Sequence, residues 1–186
     1  MNNKSYLLIV SGLSGAGKGT ICSRLIEKYP DEFALSISAT SRKPRGNEQD
    51  GVEYFFKTKK DFEEMISRDE LLEYTNYVGN YYGTPKTWVE EKLKSGVNVV
   101  LEIDIEGGFQ VSRLMDNSIL IFIIPPDADE LVRRLEKRGT ESSEQIKKRL
   151  SRAVEELKLA EGYEYIITND DVEKSVELLH NIVQSK

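Results

Sequence analysis

A glycine-rich segment near the start of the chain has the residue types and spacing of a phosphate-binding loop. It reads GLSGAGKGT over residues 12–20 and directly follows an apolar run. Gly12, Gly15 and Gly17 allow a tight turn whose N–H groups point inward, and a helix that begins beside Gly17 would add its positive dipole end. Lys18 supplies a cation for β- and γ-phosphates at the spacing GxxxxGK. The segment therefore predicts a nucleoside triphosphate site.

The residue after Lys18 departs from the usual pattern of such a loop. It is Gly19 instead of Ser or Thr, although Thr20 offers a hydroxyl one position later. We therefore expect Mg²⁺ to be held mainly through phosphates and water, with no direct protein ligand. The residues predicted to line the triphosphate site are Gly12, Leu13, Ser14, Gly15, Ala16, Gly17, Lys18, Gly19 and Thr20.

A second cluster of cations and tyrosines suits a smaller anion. Arg42 and Arg45 are three positions apart in a stretch stiffened by Pro44, in a chain whose net charge is −6. Two guanidinium groups can clamp a dianionic monophosphate, with the hydroxyls of Tyr54 and Tyr82 as neutral donors. The alternative is a solvated loop, because Arg and Lys are mostly surface residues.

Composition limits the classes of function that fit. The 186 residues, 39% hydrophobic, suffice for one core, so a single α/β domain with insertions is expected. The negative charge and the lack of a long basic block argue against nucleic-acid binding. Cys22 and His180 are the only residues of their types, which excludes disulfide frameworks and Cys/His sites. No leader and no apolar stretch of roughly 20 residues is seen, so we expect a cytoplasmic protein without membrane contact, and no obligate protein partner is evident.

Apolar runs alternate with segments of helical spacing, which predicts βαβ units and a parallel sheet. The predicted strands are Leu7–Val10, Val97–Ile103, Ile119–Ile124 and Tyr165–Thr168. The predicted helices are Gly19–Lys28, Thr87–Lys94, Ala128–Arg138, Glu144–Glu161 and Asp171–Val183. The Ile119–Ile124 run is apolar throughout and predicts a central strand.

Two segments interrupt this pattern. Between Ser36 and Tyr82 charges, aromatics and glycines are interleaved, which predicts an insertion with strands near Tyr54–Phe56 and Leu71–Val78 and a helix near Lys60–Ser67. The Arg-rich stretch Arg133–Arg152 contains Gly139 and a polar run, which is typical of a mobile lid.

These segments resemble guanylate kinases. The stretch TSRKPRGNEQDGVEYFFK, residues 40–57, is similar to the family's signature segment, and GNYYGTP at 79–85 and the phosphate loop are similar as well. The resemblance runs through essentially the whole chain. It implies a P-loop nucleoside monophosphate kinase fold, a parallel central sheet flanked by helices, and the reaction ATP + GMP ⇌ ADP + GDP with Mg²⁺, in purine metabolism and GMP recycling. One domain, 1–186, would comprise a core (about 1–36, 84–133 and 153–186), a small mixed α+β GMP-binding insertion (about 37–83) and a mobile lid (about 134–152).

The resemblance also implies roles for single residues. Ser38, Glu73 and Thr84 are similar in position to the family's guanine contacts. The predicted GMP-phosphate contacts are Arg42, Arg45, Tyr54 and Tyr82. Asp104, in LEIDIEG, resembles an acidic residue beside the nucleotide site, and Glu106 departs from a common Gln. Arg134, Arg138 and Arg149 match arginines of the lid region, the first two also as ATP contacts. The set predicted to act in catalysis is Lys18, Arg42, Asp104, Arg134, Arg138 and Arg149.

Elementary chemistry agrees with two of these roles. A carboxylate at Glu73 accepts bonds from both N1–H and the amino group of guanine, whereas adenine lacks that edge; the Thr84 hydroxyl can serve guanine O6. Guanidinium groups over the transferring phosphoryl stabilise its charge. The alternatives are an outward strand residue at Glu73, and lid arginines paired with Glu136, Glu141 or Glu144.

Two other functions remain open from the residues. A noncatalytic guanylate-kinase-like module would bind phosphorylated protein segments through the same pocket of Arg42, Arg45 and Tyr54. Such modules typically degrade the phosphate loop and lid, whereas this chain has Lys18, Arg134, Arg138 and Arg149. The second alternative is a kinase for another monophosphate, such as AMP. Glu73 argues against this function, because adenine lacks the donor edge that its carboxylate would bind.

Overall fold

A computed structural model describes residues 4–137 and 143–186. The strands in these residues form two separate sheets. In chain order the elements are β1 (Leu7–Gly12), α1 (Lys18–Lys28), β2 (Phe33–Leu35), β3 (Ala39–Thr40), β4 (Phe55–Phe56), α2 (Lys59–Ser67), β5 (Leu71–Tyr77), β6 (Asn80–Pro85), α3 (Lys86–Lys94), β7 (Asn98–Glu102), α4 (Ile105–Leu114), β8 (Ser118–Ile124), α5 (Ala128–Lys137), α6 (Ser143–Leu159), β9 (Tyr165–Thr168) and α7 (Val172–Gln184). A 3₁₀ turn, Ala160–Gly162, lies between α6 and β9.

The larger sheet has the order β2-β7-β1-β8-β9, and its neighbouring strands are all parallel. β8 lies inside the sheet between β1 and β9, and Ile119 to Ile123 are buried. An interior parallel strand is covered on both faces, so a continuous apolar run suits it. Because the strands run in one direction, the residues that follow β1, β7 and β9 meet at one edge, where ligands bind in such folds.

Helices complete the core by burying one face each. In α1 the buried residues are Ile21, Cys22 and Leu25, a spacing that puts them on one side of the helix. Burial of a side chain such as Leu25 contributes about 1.5–3 kcal/mol. α1 begins directly after Gly17, which has a left-handed backbone, so its N-terminus is fixed at the end of the glycine-rich loop.

The smaller sheet is mixed and belongs to the segment between β2 and α3. Its order is β4-β3-β6-β5, with a parallel β3–β4 pair and antiparallel β3–β6 and β5–β6 pairs. Ala39, Phe62 and Leu71 form a hydrophobic cluster of its own. The helix α2 is fixed by a capping box, in which Thr58 and Asp61 satisfy each other's backbone N–H groups.

The predicted elements are found within about two residues of their expected bounds. Four other elements were not predicted. β2, β3 and β6 are short or rich in polar residues, and α4 contains the pair Gly107-Gly108, which lowers helix propensity. The missed helix matters for function because Asp104 is its N-cap.

Candidate active site

The glycine-rich loop forms a cradle at the carboxyl end of β1. Gly12, Gly15 and Gly17 have φ angles of 149°, 95° and 93°, which side chains rarely allow. A Cβ on Gly12 would lie 2.2 Å from the carbonyl oxygen of Ile123, so the strand and the loop can approach only at a glycine. Leu13 N–H donates to the same oxygen at 3.2 Å. The loop is thus fixed to β8.

Lys18 points back into this cradle. Its Nζ donates to the carbonyl oxygens of Gly12 at 2.7 Å and Leu13 at 3.2 Å. The ammonium is therefore held inside the loop by its own backbone, at the start of α1. A cation in a glycine-rich loop beside a helix N-terminus suits an anion.

Arg134 of α5 lies against the other side of the loop. Its Nη1 donates to the Ala16 carbonyl oxygen at 3.2 Å and its Nη2 to that of Asn169 at 3.0 Å, while Nε pairs with Glu130 at 2.6 Å. Glu130, not one of the predicted acids, is thus its ion-pair partner, and arginines of α5 hold the pKa of that carboxyl below its usual range. The guanidinium therefore lies beside the glycine-rich loop.

Asn169 is a neighbour of the glycine-rich loop that the sequence reasoning missed. Its buried amide donates to the Ala16 carbonyl oxygen at 2.7 Å, and its Oδ1 accepts from Ser175. A Cβ on Gly17 would lie 2.5 Å from its Nδ2. The available signal was its position directly after the edge strand β9, at the end of the sheet where the glycine-rich loop also lies.

Arg42 is the buried cation of the smaller sheet. Its Nη1 and Nη2 each lie 2.9 Å from a carboxylate oxygen of Glu48, a two-point pair that the sequence reasoning did not predict. Its guanidinium carbon is 5.3 Å from the ring centre of Tyr54, and that ring contacts Tyr82 edge-on at 6.1 Å. Glu48 and Tyr82 raise the pKa of Arg42, and Arg42 lowers the pKa of Glu48. The guanidinium thus donates to two anionic oxygens at once, and both predicted tyrosines lie beside it.

Two further predicted contacts lie near this pair in sequence. Arg45 is exposed, and its backbone N–H donates to Glu48 at 2.7 Å. Ser38 lies directly before β3, and its carbonyl accepts from Phe55 N–H at 2.9 Å. The bond from Arg45 thus joins that residue to the Arg42–Glu48 pair.

Glu73 and Thr84 meet across the β5–β6 pair. The Thr84 hydroxyl donates to Glu73 Oε1 at 2.6 Å, and Thr84 is completely buried. Burial raises the pKa of Glu73, and the nearby charge of Asp104 raises it further, while the bond from Thr84 opposes both. Glu73 is therefore no outward strand residue. It is an enclosed carboxyl whose spare oxygen positions suit donors such as an amino group.

Asp104 connects the two regions. It lies after β7 and caps α4, since its Oδ1 accepts from Gly107 N–H at 2.8 Å. A Cβ on Gly107 would be 3.3 Å from Asp104 Oδ1 and 3.7 Å from Glu73 Cγ, so the carboxyl groups are neighbours. A cleft of about 550 Å³ has Asp104 in its lining together with Gly12, Ser14, Lys18 and Glu102. Glu102 was not predicted as a site residue, although it ends the same apolar strand.

The remaining predicted residues belong to the end of the glycine-rich loop and to the predicted lid. Gly19 and Thr20 are exposed in the first turn of α1, and Glu102 Oε2 lies 3.5 Å from where a Cβ on Gly19 would be. Arg138 lies outside the described residues, and so does the side chain of Arg149 in α6.

Two further observations on the described residues concern metal ions and membranes. They contain no group of three His, Cys, Asp or Glu side chains arranged to hold a metal ion. None of their helices is long and apolar enough to cross a membrane.

Comparison with known proteins places this geometry in a family. A family model described as guanylate kinase matches residues 4–186. The chain belongs to the guanylate kinase family. A guanylate kinase of Mycoplasmoides gallisepticum is 51% identical over 184 residues, with 98% of this chain and 94% of the relative covered. One of Caldanaerobacter subterraneus subsp. tengcongensis is 48% identical, with 98% and 88% covered.

A solved structure agrees. The crystal structure of guanylate kinase from Anaplasma phagocytophilum matches with a TM-score of 0.74 and 28% identity, covering 98% of this chain and 86% of that one. The resemblance drawn from residues 40–57 and 79–85 is thereby confirmed. The α/β fold with a parallel central sheet and the class of enzyme, a kinase, are confirmed with it.

Proposed function

We propose that this chain transfers the γ-phosphoryl group of ATP to GMP and releases ADP and GDP. The observation that carries the proposal is the position of Asp104, which lines the cleft of Lys18 and adjoins Glu73. A triphosphate on the loop and a guanine nucleotide on the smaller sheet would meet there. Bringing two bound reactants together in line supplies much of the catalysis of phosphoryl transfer.

The donor half follows from the phosphate loop. Residues 12–20 would bind the triphosphate of ATP through backbone N–H groups, with Lys18 on the β- and γ-phosphates. Its hydrogen bonds to Gly12 and Leu13 support this role, since they hold the cation inside the loop. Arg134 would contribute from the opposite side.

Mg²⁺ is the ion expected with ATP, and the residues fit it in a limited way. Thr20 and Asp104 carry oxygen donors near the loop, and oxygen is what this ion prefers. When bound, the ion neutralises phosphate charge that develops during transfer. We assign Thr20 to a phosphate or ion-bound water and Asp104 to orienting such water, with the phosphates as the main ligands.

The acceptor half follows from the smaller sheet. Arg42 would bind the GMP phosphate with Arg45, Tyr54 and Tyr82, and its two-point contact with Glu48 supports a geometry suited to paired anionic oxygens. Glu73 would accept from guanine, and Ser38 and Thr84 would complete the base site. The Thr84 hydroxyl donates to Glu73 in the structure, so it would have to turn to donate to guanine O6.

The remaining assignments complete the catalytic proposal. Arg134, Arg138 and Arg149 would stabilise the charge on the transferring group from a lid at about 134–152, and residues 37–83 would form the GMP-binding insertion. No strong general base is required, because a phosphate oxygen of GMP is already a nucleophile. A cytoplasmic location, where ATP and GMP are available, belongs to the same proposal.

The test is release of ADP with GMP, AMP, CMP and UMP as acceptors. We expect turnover with GMP at least about 10⁴-fold more efficient than with AMP. Lys18→Ala should keep the fold and lose turnover, while the surface variant Lys92→Ala should match the original protein. Equal rates with GMP and AMP would contradict the base site, and near-normal GDP formation by Lys18→Ala would contradict the donor site.

A further inference from the structure

The turn between β5 and β6 has a backbone that its sequence does not favour. Tyr77 pairs with Asn80, so Val78 and Gly79 form a two-residue hairpin turn. Their φ angles are 50° and 77°, the left-handed region at both positions. Asn-Gly is the preferred pair for this turn, whereas a β-branched residue is strained there. Val78 therefore destabilises the hairpin relative to Asn.

The side chain of the strained residue is mostly exposed. Val78 is 80% exposed and Tyr77 is 69% exposed, so the tip presents an apolar surface to solvent. If position 78 served only to turn the chain, Asn would do so with less strain. What valine adds is an apolar side chain. Strain of this kind recurs at positions where a residue is held for a function.

The surface opposite the tip is suited to it. Tyr77 lines the same cleft as Arg152, Ala153 and Glu156 of α6, together with Lys18 of the phosphate loop. Arg152 is 74% exposed, and its Nε is held by Glu156 at 2.9 Å, which directs the guanidinium without covering it. A guanidinium stacks favourably on an aromatic ring, and the aliphatic part of Arg packs against apolar side chains.

We propose that Tyr77 and Val78 are positioning residues that dock on Arg152 of α6 when both nucleotides occupy the cleft. The inference rests on the proposed function. The hairpin belongs to the sheet that carries Glu73 and Thr84, so docking would carry the GMP side of the cleft toward α6 and the phosphate loop. Excluding water from the cleft strengthens the charge interactions on which phosphoryl transfer depends.

Val78→Asn distinguishes a docking role from a role in stability alone, because it should raise Tm and lower kcat/KM. Relief of strain should raise Tm by about 2–4 °C. Loss of the apolar contact should lower kcat/KM by about three- to tenfold, with the Kd of GMP for the free protein unchanged. Val52→Asn is the matched control, since Val52 is also an exposed valine, at 59%, but lies outside the β5–β6 hairpin and has no left-handed backbone. It should change neither quantity.

The contact itself is tested by rescue and by a double-mutant cycle. Tyr77→Ser should lose as much activity as Val78→Asn, and Tyr77→Phe should keep it because the ring remains. Arg152→Gln should lose activity to a similar degree, and Tyr77→Ser with Arg152→Gln should lose little more than either change alone.

Closure can be followed without turnover. Dyes on Glu63→Cys in α2 and Lys158→Cys in α6 report the distance across the cleft, since both sites are exposed and the native Cys22 is buried. A bisubstrate analogue should shorten that distance in the original chain and shorten it less with Val78→Asn.

Failure of this inference is distinguishable from failure of the proposed function. If the original chain forms GDP and closes on the analogue, but Val78→Asn closes and turns over equally well, the docking role is wrong. If Val78→Asn does not raise Tm, the strain argument is wrong. If the original chain forms no GDP, the proposed function itself has failed.

Discussion

Glu73→Gln tests the base site most directly. An ionised Glu73 would accept from two guanine donors, whereas the Gln side chain offers one oxygen and turns its NH₂ group toward the second donor. A hydrogen bond to a charged group contributes about 1.5–3 kcal/mol. We therefore expect kcat/KM for GMP to fall by about 10- to 100-fold, while kcat/KM for AMP falls less, so the ratio between the two substrates narrows.

The same variant has a second consequence, on stability against pH. Burial and Asp104 raise the pKa of Glu73 above its ordinary value of 4.5 in the folded chain. The folded state therefore holds this proton more tightly than the unfolded state, and stability is lost as pH rises from the ordinary value through the raised one. Gln carries no such proton. The Tm of Glu73→Gln minus the Tm of the original protein should therefore increase as pH rises from 4.5 to neutral pH.

Binding of GMP depends on pH in the opposite direction. Only the carboxylate form accepts both guanine donors, so GMP affinity of the original chain should fall as pH decreases through the raised pKa of Glu73. Calorimetric titration with GMP at several pH values, together with thermal unfolding of both proteins, gives the two profiles. Glu70→Gln is the control, since Glu70 lies just before the same strand, with its side chain 44% exposed. An unchanged GMP to AMP ratio in Glu73→Gln, or a Tm difference independent of pH, would refute the reasoning.

Three further predictions concern the loop and the two arginines. Gly12→Ala should cost about 3 kcal/mol or more of unfolding free energy, because its Cβ would meet the Ile123 carbonyl oxygen at 2.2 Å; a loss under about 1 kcal/mol in urea denaturation would contradict this. Arg42→Lys keeps the charge but not the fork, so the KM for GMP should rise by about tenfold, and an unchanged KM would exclude two-point binding. Arg134→Gln should raise the KM for ATP by about tenfold without altering the Kd of GMP; equal effects on both would argue against a donor-side role.

The fold was largely predictable because its signals are local. The apolar run Ile119–Ile124 and the spacing of Ile21, Cys22 and Leu25 each report burial directly. The cradle formed by residues 12–18 was predictable for a similar reason, since its glycines and Lys18 lie within seven consecutive positions. α4 was missed because Gly107 and Gly108 are poor helix formers and the helix depends on its cap at Asp104.

The partners of individual side chains were less predictable, whether near or distant in sequence. Glu48 was not recognised as the partner of Arg42, because the loop geometry that joins them cannot be deduced from a six-residue separation. Asn169 meets Ala16 across more than 150 positions. For Arg134 several acids lie at helical spacing, and only the structure selects Glu130. Residue type predicts what chemistry is available, whereas packing decides which groups use it.

The two roles of Asp104, as helix cap and as a charge in the cleft, can be separated by substitution. Asn caps helices as well as Asp does, so Asp104→Asn should keep the bond to Gly107 N–H and change unfolding free energy by less than about 0.5 kcal/mol, whereas Asp104→Ala should cost about 1 kcal/mol. The negative charge of Asp104 raises the pKa of Glu73, so its removal should lower that pKa and shift the pH dependence of GMP affinity toward lower pH. Calorimetry with GMP over a pH series measures the shift. If Asp104→Asn and Asp104→Ala reduce turnover only in proportion to their loss of stability, Asp104 serves α4 alone. If Asp104→Asn is as stable as the original chain and still loses turnover, the charge of Asp104 acts in the cleft.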